Sequence, residues 1–323
     1  MYKIAVVDWA TSPRGDEACE VERSVLDGQA DVTYGRVTNG DMSSWDKLNI
    51  YDADLVTLWH NVDMPKEVIS KFKKLKGIVR NGTGYDSVDH KYARAQGIEV
   101  SNVPNYGTEE VADHSIALAL ALCRQILPID QECKRLGWEI PNKHVIRRFQ
   151  NMNFGVVGLG RIGTSVALKA KALGFTTWFY DPYLSNGVDK SLGLHRCKNW
   201  DEFLSSMDVI SINCPLTEET HHMFTHKEFK KMKDLSFLVN TARGPIVNKA
   251  DCLAALRHKQ IAGAALDVIE DEPLKTEKEA SCPNLIATCH SAFYSVQAAY
   301  EMKNFAAEEA LRLLEGHPEN VVN

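Results

Sequence analysis

Side chains suited to substrate binding and acid–base chemistry follow three apolar, strand-like runs in the second half of the chain. Arg243, the acidic run at 270–272 and His290 each stand at or just beyond the end of such a run. In an open α/β sheet the ligand crevice lies beyond the carboxyl ends of the strands. We therefore expect a guanidinium, a carboxylate and an imidazole to converge at one edge of a sheet.

This combination suits the reduction of a 2-keto acid by hydride transfer. A guanidinium is a planar, permanent cation that can hold carboxylate and carbonyl oxygens and stabilise the charge that develops on the carbonyl. An imidazole can deliver the proton, and a neighbouring carboxylate would orient its ring. The hydride would come from a nicotinamide cofactor.

Each of the three also has a plainer interpretation. Arg243 precedes Gly244-Pro245 and could only cap a turn. His290 alone could be a buried histidine, and an acidic run is often a solvated loop. Residue chemistry alone does not decide which acid of the run faces His290. Their joint placement at strand ends favours the catalytic interpretation.

A glycine-rich turn with the G-x-G-x-x-G spacing lies between an apolar run at 154–157 and a helical pattern. The turn consists of Gly158, Leu159, Gly160, Arg161, Ile162 and Gly163. Two glycines would let the backbone approach a pyrophosphate at the helix N-terminus, and the third would let the helix pack on the strand. Asp181 ends the next apolar run and would bind both ribose hydroxyls while repelling a 2′-phosphate, so we predict NAD rather than NADP.

A second glycine-containing loop, at 80–84, follows a strand-like run in the first half of the chain. Gly82 and Gly84 expose backbone N–H groups that could bind a carboxylate, and Arg80 could add a charged contact. The alternative is a loop that merely turns.

Three histidines raise the question of a metal site. His222 and His226 have i, i+4 spacing, and His221 precedes them, but a helix is predicted to begin at Thr225, between the two. No cysteine or acid nearby completes a ligand set. We therefore predict no bound metal.

The composition is that of an ordinary globular protein, with 44% hydrophobic and 25% charged residues. The net charge of −6 predicts no general binding to nucleic acid or to an anionic membrane. The eight cysteines contain no C-x-x-C pair, no signal sequence is evident, and no apolar stretch could span a bilayer. These features predict reduced thiols and a cytoplasmic location.

Short β-rich runs alternate with helical patterns in both halves, which is typical of parallel sheets with crossover helices. Five strand candidates are found before residue 101: Lys3–Asp8, Asp31–Tyr34, Asp54–Trp59, Gly77–Arg80 and Ile98–Val100. Six more follow residue 150: Phe154–Val157, Thr176–Tyr180, Val209–Asn213, Phe237–Thr241, Ala264–Val268 and Leu285–Cys289. A helix rich in small residues is predicted at 109–126, facing another domain or subunit.

The predicted fold class is α/β, with two doubly wound parallel-sheet domains. A helical pattern at 298–315 follows the last strand and could return to the first domain. We therefore predict a discontinuous, flavodoxin-like substrate domain of residues 1–101 and 295–323, and a Rossmann dinucleotide-binding domain of residues 102–294.

These motifs resemble those of the D-isomer-specific 2-hydroxyacid dehydrogenases over nearly the whole chain. The matching stretches are 82–86, 158–163, 240–244, 265–268 with Glu272-Pro273, and His290. The resemblance implies that Arg243, Glu272 and His290 are catalytic, which selects Glu272 from the acidic run. It implies that Asp267 contacts the nicotinamide amide. The other cofactor contacts that it implies are Thr83, Cys214, Pro215, Thr220, Thr241 and Ala242.

Within this family the chain is most similar to the C-terminal-binding proteins, which are NADH-binding transcriptional corepressors. The likeness lies in 59–60, 78–80, 179–188 and 294–295. It implies a pocket for the substrate that is lined by His60, Arg80, Gly82, Thr83, Gly84 and Phe293. Phe293 stands where that branch has a tryptophan, and Val111 stands where it has a cofactor-contacting threonine. A homodimer is implied by the resemblance only.

The first hypothesis is therefore an NAD-dependent enzyme that interconverts a small 2-keto acid and its D-2-hydroxy acid. The alternative is an NADH-sensing, protein-binding module with little or no turnover. Within the enzyme class, an aromatic wall that includes Trp59, Phe293 and Tyr294 could suit a larger or apolar hydroxy acid.

Overall fold

A computed structural model of the chain describes residues 1–12, 19–59, 61–135, 137–138 and 145–323. The chain forms two compact units, Met1–Gly107 with Ser295–Asn323, and Thr108–Tyr294. The first unit extends to Gly107 rather than to the predicted residue 101. A hydrogen bond of 3.0 Å from Val103 N to Gly82 O ties part of this extension to the first unit.

All strand pairs in the two sheets are parallel. The first unit contains β1 (Tyr2–Trp9), β2 (Ala30–Val37), β3 (Leu55–Leu58), β4 (Gly77–Arg80) and β5 (Glu99–Asn102). The second contains β6 (Asn153–Val157), β7 (Thr176–Tyr180), β8 (His195–Arg196), β9 (Val209–Ile212), β10 (Phe237–Asn240), β11 (Gly263–Leu266) and β12 (Leu285–Ala287).

The strand orders are those of two known doubly wound arrangements. The first sheet runs β2-β1-β3-β4-β5, the flavodoxin-like order, and the second runs β12-β11-β10-β9-β6-β7-β8, the dinucleotide-binding order with one added strand. The predicted fold class is therefore confirmed. The sequence did not predict β8, because two residues are too few to show any alternation.

The helices connect these strands and cover the sheets. In the described ranges they are α1 (Glu20–Val25), α2 (Met42–Leu48), α3 (Lys66–Ile69), α4 (His90–Ala95), α5 (Thr108–Cys123), α6 (Ile126–Lys134), α7 (Arg161–Ala172), α8 (Val188–Leu192), α9 (Trp200–Ser206), α10 (His226–Phe229), α11 (Lys249–Arg257), α12 (Glu277–Ala280) and α13 (Val296–Glu315). None of these helices is long and apolar enough to cross a membrane.

Helix α5 is shorter than predicted. It ends at Cys123, because Gln125 takes a left-handed conformation with φ of 55° and a separate helix begins at Ile126. Its small residues Ala112 and Ala119 are buried, and the helix packs against α7, β10 and β11 of its own unit. The small residues therefore allow close packing inside the second unit.

Helix α13 belongs to the first unit, as the discontinuous arrangement requires. Ser295 caps its N-terminus by accepting a hydrogen bond of 2.9 Å from Ala298 N. Its Leu313 lies against β4 so closely that a Cβ on Gly77 would be 2.2 Å from Leu313 Cδ2. The glycine that begins β4 thus lets the last helix sit directly on the first sheet.

Candidate active site

The loops that carry Arg243, Glu272 and His290 leave the sheet at one edge. Strands β10, β11 and β12 are adjacent and parallel, with Asn240 beside Leu266 and Leu266 beside Ala287. The carboxyl ends of the three strands are therefore level. This is the edge at which open α/β sheets bind ligands.

Asn240 builds the turn that presents Arg243. Its Oδ1 accepts a hydrogen bond of 3.0 Å from Ala242 N, and its Nδ2 donates one of 2.9 Å to Arg243 O. The half-buried Arg243 donates from Nη1 to Ala242 O at 2.8 Å. A buried amide side chain thus sets the backbone of 240–243.

The turn after β10 packs directly on the turn after β11. A Cβ on Gly244 would be 2.3 Å from the carbonyl carbon of Ile269 and 2.6 Å from Glu270 N. No side chain fits there, so glycine is needed for this approach. The contact brings the backbone that follows Arg243 against the backbone that precedes Glu272.

Glu272 and His290 form a hydrogen-bonded pair. His290 Nδ1 lies 3.1 Å from Glu272 Oε2, while Glu272 Oε1 accepts a hydrogen bond of 3.2 Å from Ile269 N. The ring of Phe293 meets that of His290 edge to face, with centroids 6.5 Å apart. Because Nδ1 faces the carboxylate, the opposite atom, Nε2, is directed away from it.

Asp267 holds the loop on which His290 stands. Its carboxylate is buried and accepts hydrogen bonds from Thr288 Oγ1 at 2.6 Å, Ser291 N at 2.9 Å and Ala292 N at 3.0 Å. His114 on α5 lies 3.2 Å from Thr288 Oγ1 through Nε2. A buried carboxylate with three donors is well satisfied. The nicotinamide contact implied for Asp267 stays a prediction.

The three glycines of the turn after β6 have three different environments. A Cβ on Gly158, where φ is 83°, would be 2.8 Å from Cys214 N, and one on Gly163 would be 2.0 Å from Gly158 O. Beyond its neighbours in the chain, a Cβ on Gly160 would meet no atom of the described residues within 4 Å. The first and third glycines are therefore required by the packing of the protein, whereas the space beside Gly160 is open for a ligand.

The N-terminus of α7 fits a pyrophosphate. Gly160 is the N-cap, no side chain caps the helix, and Arg161 and Ile162 begin its first turn. The first N–H groups of a helix lack intrahelical partners and attract anions. Together with the open space beside Gly160, these residues fit the phosphates of a dinucleotide.

Asp181 follows β7 beside this turn. Its Oδ2 accepts a hydrogen bond of 2.9 Å from Leu159 N, and its Oδ1 accepts one of 3.0 Å from Tyr183 N. Tyr183 also donates from its hydroxyl to Glu219. The acid predicted to bind the ribose is thus fixed against the glycine turn.

The loop after β9 carries three further predicted cofactor contacts. Thr220 holds the loop in shape, since Oγ1 donates to Pro215 O at 2.7 Å and accepts from Thr217 N at 2.8 Å. Burial raises the pKa of the Cys214 thiol to about 11, so this side chain is neutral. Thr241, after β10, is nearly buried and shares a hydrogen bond of 2.7 Å with Ser115.

The first unit contains the predicted carboxylate-binding loop. Arg80 is the last residue of β4 and is buried, and its Nη1 donates to Asn81 O at 3.0 Å. Gly82 has φ of 137°, and a Cβ there would be 1.8 Å from Arg80 Nη1. Thr83 is exposed and Gly84 is half-buried in the same loop, whereas His60 lies outside the described residues.

Sequence reasoning did not single out Asn81. This residue is fully buried, and neither Oδ1 nor Nδ2 has a hydrogen-bond partner within the described ranges. A buried amide without partners is costly. Its position beside Arg80 in the glycine loop was the only signal in the sequence.

Residues 116–292 match the family model described as D-isomer specific 2-hydroxyacid dehydrogenase, NAD binding domain. This match covers more than half of the chain, which therefore belongs to the D-isomer-specific 2-hydroxyacid dehydrogenase family. The predicted family and the predicted cofactor, NAD, are confirmed.

Two curated relatives and one solved structure illustrate the likeness. C-terminal-binding protein 1 of Caenorhabditis elegans is 32% identical over 307 residues, which is 92% of this chain and 42% of that protein. D-3-phosphoglycerate dehydrogenase of Methanocaldococcus jannaschii is 33% identical over 324 residues, which is 100% of this chain and 60% of that protein. The chain thus spans about half the length of these relatives.

The solved structure is that of D-lactate dehydrogenase from Aquifex aeolicus, complexed with NAD and lactic acid. It is similar with a TM-score of 0.86 at 28% identity, over 99% of this chain and 98% of that one. The fold of the two units therefore matches that of a dehydrogenase over essentially its whole length.

Proposed function

We propose that the chain is an NAD(H)-dependent oxidoreductase that interconverts a 2-keto acid and its D-2-hydroxy acid. The observation that carries the proposal is the pair formed by His290 and Glu272, whose Nδ1 and Oε2 atoms are 3.1 Å apart. This pair follows β12 and β11, and Arg243 follows the adjacent β10. The three residue types are those that reduction of a 2-keto acid requires.

The roles of the residues follow from their chemistry. Glu272 orients the imidazole, so His290 Nε2 is the atom that we assign to proton transfer to the carbonyl oxygen. Arg243 binds the carboxylate and stabilises the negative charge that develops on the carbonyl oxygen. NADH, when bound, supplies the hydride. In the reverse direction His290 accepts the proton of the hydroxyl group.

The loop at 80–84 of the first unit supplies a second group of proposed substrate contacts. Arg80, Gly82, Thr83 and Gly84 remain proposed contacts for the substrate, and the unpartnered amide of Asn81 supports a polar ligand nearby. The predicted contribution of Phe293 is supported by its edge-to-face contact with His290.

The test is to measure the oxidation of NADH by the chain in the presence of 2-keto acids with short, branched, aromatic and phosphorylated side chains. We expect turnover with at least one of them. His290→Gln should lower kcat by about 10²-fold or more while leaving the Kd for NADH unchanged. His258→Gln, an exposed histidine at the end of α11, is the matched control. No turnover with any acid, despite bound NADH, would contradict the proposal.

The likeness to a C-terminal-binding protein supports a second candidate, an NADH-sensing module that binds protein partners. Capture of partner proteins on the immobilised chain, with and without NADH, separates the two functions. Partner capture that requires NADH, together with no turnover across the panel, would favour the sensing function. A homodimer and a cytoplasmic location also remain proposals, and sedimentation and cell fractionation test them.

A further inference from the structure

Three metal-ligating side chains come together in the second unit, apart from the pair of His290 and Glu272. They are His221, His222 and Glu270, and their ligand atoms all lie within 4.8 Å of one another. The two histidines follow Thr220 of the cofactor loop. Glu270, which is 48 residues beyond His222, follows β11. The acid that the sequence did not place beside the histidines is thus supplied by the fold.

The backbone presents the two adjacent imidazoles side by side. His222 has a left-handed conformation with φ of 52°, and its N–H donates to Pro245 O at 2.8 Å. The ring centroids of His221 and His222 are 4.0 Å apart, and the ring planes are inclined by 31°. This hydrogen bond anchors the two histidines to the loop that follows Arg243. The positions of the rings are therefore fixed by a second loop as well as by their own.

Glu270 is held in the orientation of a ligand. Lys249 N donates to its Oε2 at 3.2 Å, which leaves Oε1 at 2.5 Å from His222 Nε2. The two oxygens of Glu270 therefore have separate partners, one on the backbone of Lys249 and one on the imidazole of His222.

We propose that His221, His222 and Glu270 form a binding site for a divalent transition metal ion such as Zn²⁺. Two imidazole nitrogens and a carboxylate oxygen are ligands that Zn²⁺ prefers, and water completes the tetrahedron. With bonds of about 2.0–2.2 Å, tetrahedral ligands lie roughly 3.4 Å apart. The observed separations, from 2.5 Å to at most 4.8 Å, bracket that value, so small side-chain rotations suffice.

A bound ion would connect two loops of the candidate active site. His221 and His222 end the loop of the predicted cofactor contacts Cys214, Pro215 and Thr220, and Glu270 belongs to the turn that carries Glu272. The ion would hold these two loops together. Binding of the metal does not depend on the proposed enzymatic function.

The test is a calorimetric titration, in which ZnCl₂ is added to the full chain after its tag and any bound metal have been removed. The visible absorption of Co²⁺ gives a second readout of tetrahedral coordination. We expect one equivalent of Zn²⁺ per chain and a Kd at least about 10-fold weaker in His221→Asn and in Glu270→Gln. His221 is exposed, so its variant should keep the melting temperature of the metal-free chain. His226→Asn, another exposed histidine close in sequence, should bind Zn²⁺ like the parent chain.

Among the described residues, the exposed Cys289 and the pair of His290 with Glu272 are further groups that could bind Zn²⁺. Cys289→Ser and His290→Gln should leave binding unchanged. The proposal is overturned if the parent chain binds no Zn²⁺. It is equally overturned if the Kd for Zn²⁺ in His221→Asn equals that of the parent chain, or if binding disappears in Cys289→Ser or His290→Gln.

Discussion

The backbone N–H of His290 donates a hydrogen bond of 2.8 Å to the carbonyl oxygen of Asp267. The same aspartate binds the next two backbone N–H groups through its carboxylate, at 2.9 Å and 3.0 Å. His290 itself has φ of 54°, a conformation that few residues other than glycine adopt. Asp267 thus maintains a turn that places an imidazole beside Glu272.

Asp267→Asn should therefore damage the loop of His290. The amide nitrogen of the new asparagine would face one of the N–H or O–H donors that the carboxylate now binds. This lowers the free energy of unfolding by about 1–3 kcal/mol. We expect lower kcat as well, while Thr288→Val, which removes one hydroxyl donor, should cost about 1 kcal/mol. Urea unfolding and steady-state kinetics measure both effects. Unchanged kcat and stability in Asp267→Asn would contradict this role, whereas weaker NADH binding would support the implied nicotinamide contact.

The glycine turn allows a matched pair of substitutions. Gly160→Ala should leave the melting temperature unchanged, because φ is −74° and the added Cβ would have open space in the part of the chain that the structure describes. It should weaken NADH binding by about 10-fold or more, equivalent to roughly 1.4 kcal/mol, because the methyl group enters the space assigned to the pyrophosphate.

Gly163→Ala should instead lower the melting temperature, because its Cβ would be 2.0 Å from Gly158 O. Differential scanning fluorimetry and NADH titration separate the two outcomes. Normal NADH affinity in Gly160→Ala would show that the phosphates lie elsewhere.

Asp181→Asn should relax the preference for NAD. It removes the charge that repels a 2′-phosphate and keeps an acceptor oxygen for one of the two backbone N–H groups. We expect the ratio of kcat/KM for NADPH to that for NADH to rise by about 10-fold, roughly 1.4 kcal/mol. Glu218→Gln, an exposed acid in the loop after β9, controls for the loss of negative charge. An unaltered ratio in Asp181→Asn would refute the assigned role.

The stability of the second unit should depend on pH through Asp208. This buried carboxylate accepts hydrogen bonds from Asn153 N at 2.7 Å, and from Arg147 Nη1 and Lys233 Nζ at 3.0 Å each. Burial alone would raise the pKa of Asp208, but these donors lower it below the ordinary value of 3.8. The stabilisation is therefore present above the unfolded pKa and is lost as the pH falls through the folded pKa.

Asp208→Asn tests this dependence. At pH 7 the variant should be less stable by about 3 kcal/mol, since it leaves two cations without a carboxylate. The difference should begin to shrink as the pH falls below about 4, because Asp208 of the unfolded parent chain then binds a proton, and it should continue to shrink as the pH approaches the lower folded pKa. Urea unfolding from pH 7 to 3.5 measures it, and the exposed Asp201, paired with Lys231, provides a control variant that should show little change. A constant difference across this range would contradict the prediction.

Local patterns were sufficient to predict most of the scaffold. The eleven predicted strands were found with small shifts at their ends. A parallel strand that is buried on both faces reads as a continuous apolar run, as in β3, β4, β9 and β10. The glycine turn was predictable because its spacing is dictated by the approach of backbone to backbone, as at Gly163 and Gly158. Helix α5 was predicted too long, because the apolar pattern continues past the left-handed Gln125.

The sequence by itself determined which residue types stand at the strand ends, and so the class of chemistry. Tertiary structure decided which of them meet: Glu270 with His222, Glu272 with His290, and Asp267 with the loop at 288–292. The reason is physical. The strands β10, β11 and β12 are neighbours in the sheet because this order buries the faces of the sheet. Burial of this kind is a long-range effect, and no local pattern encodes it.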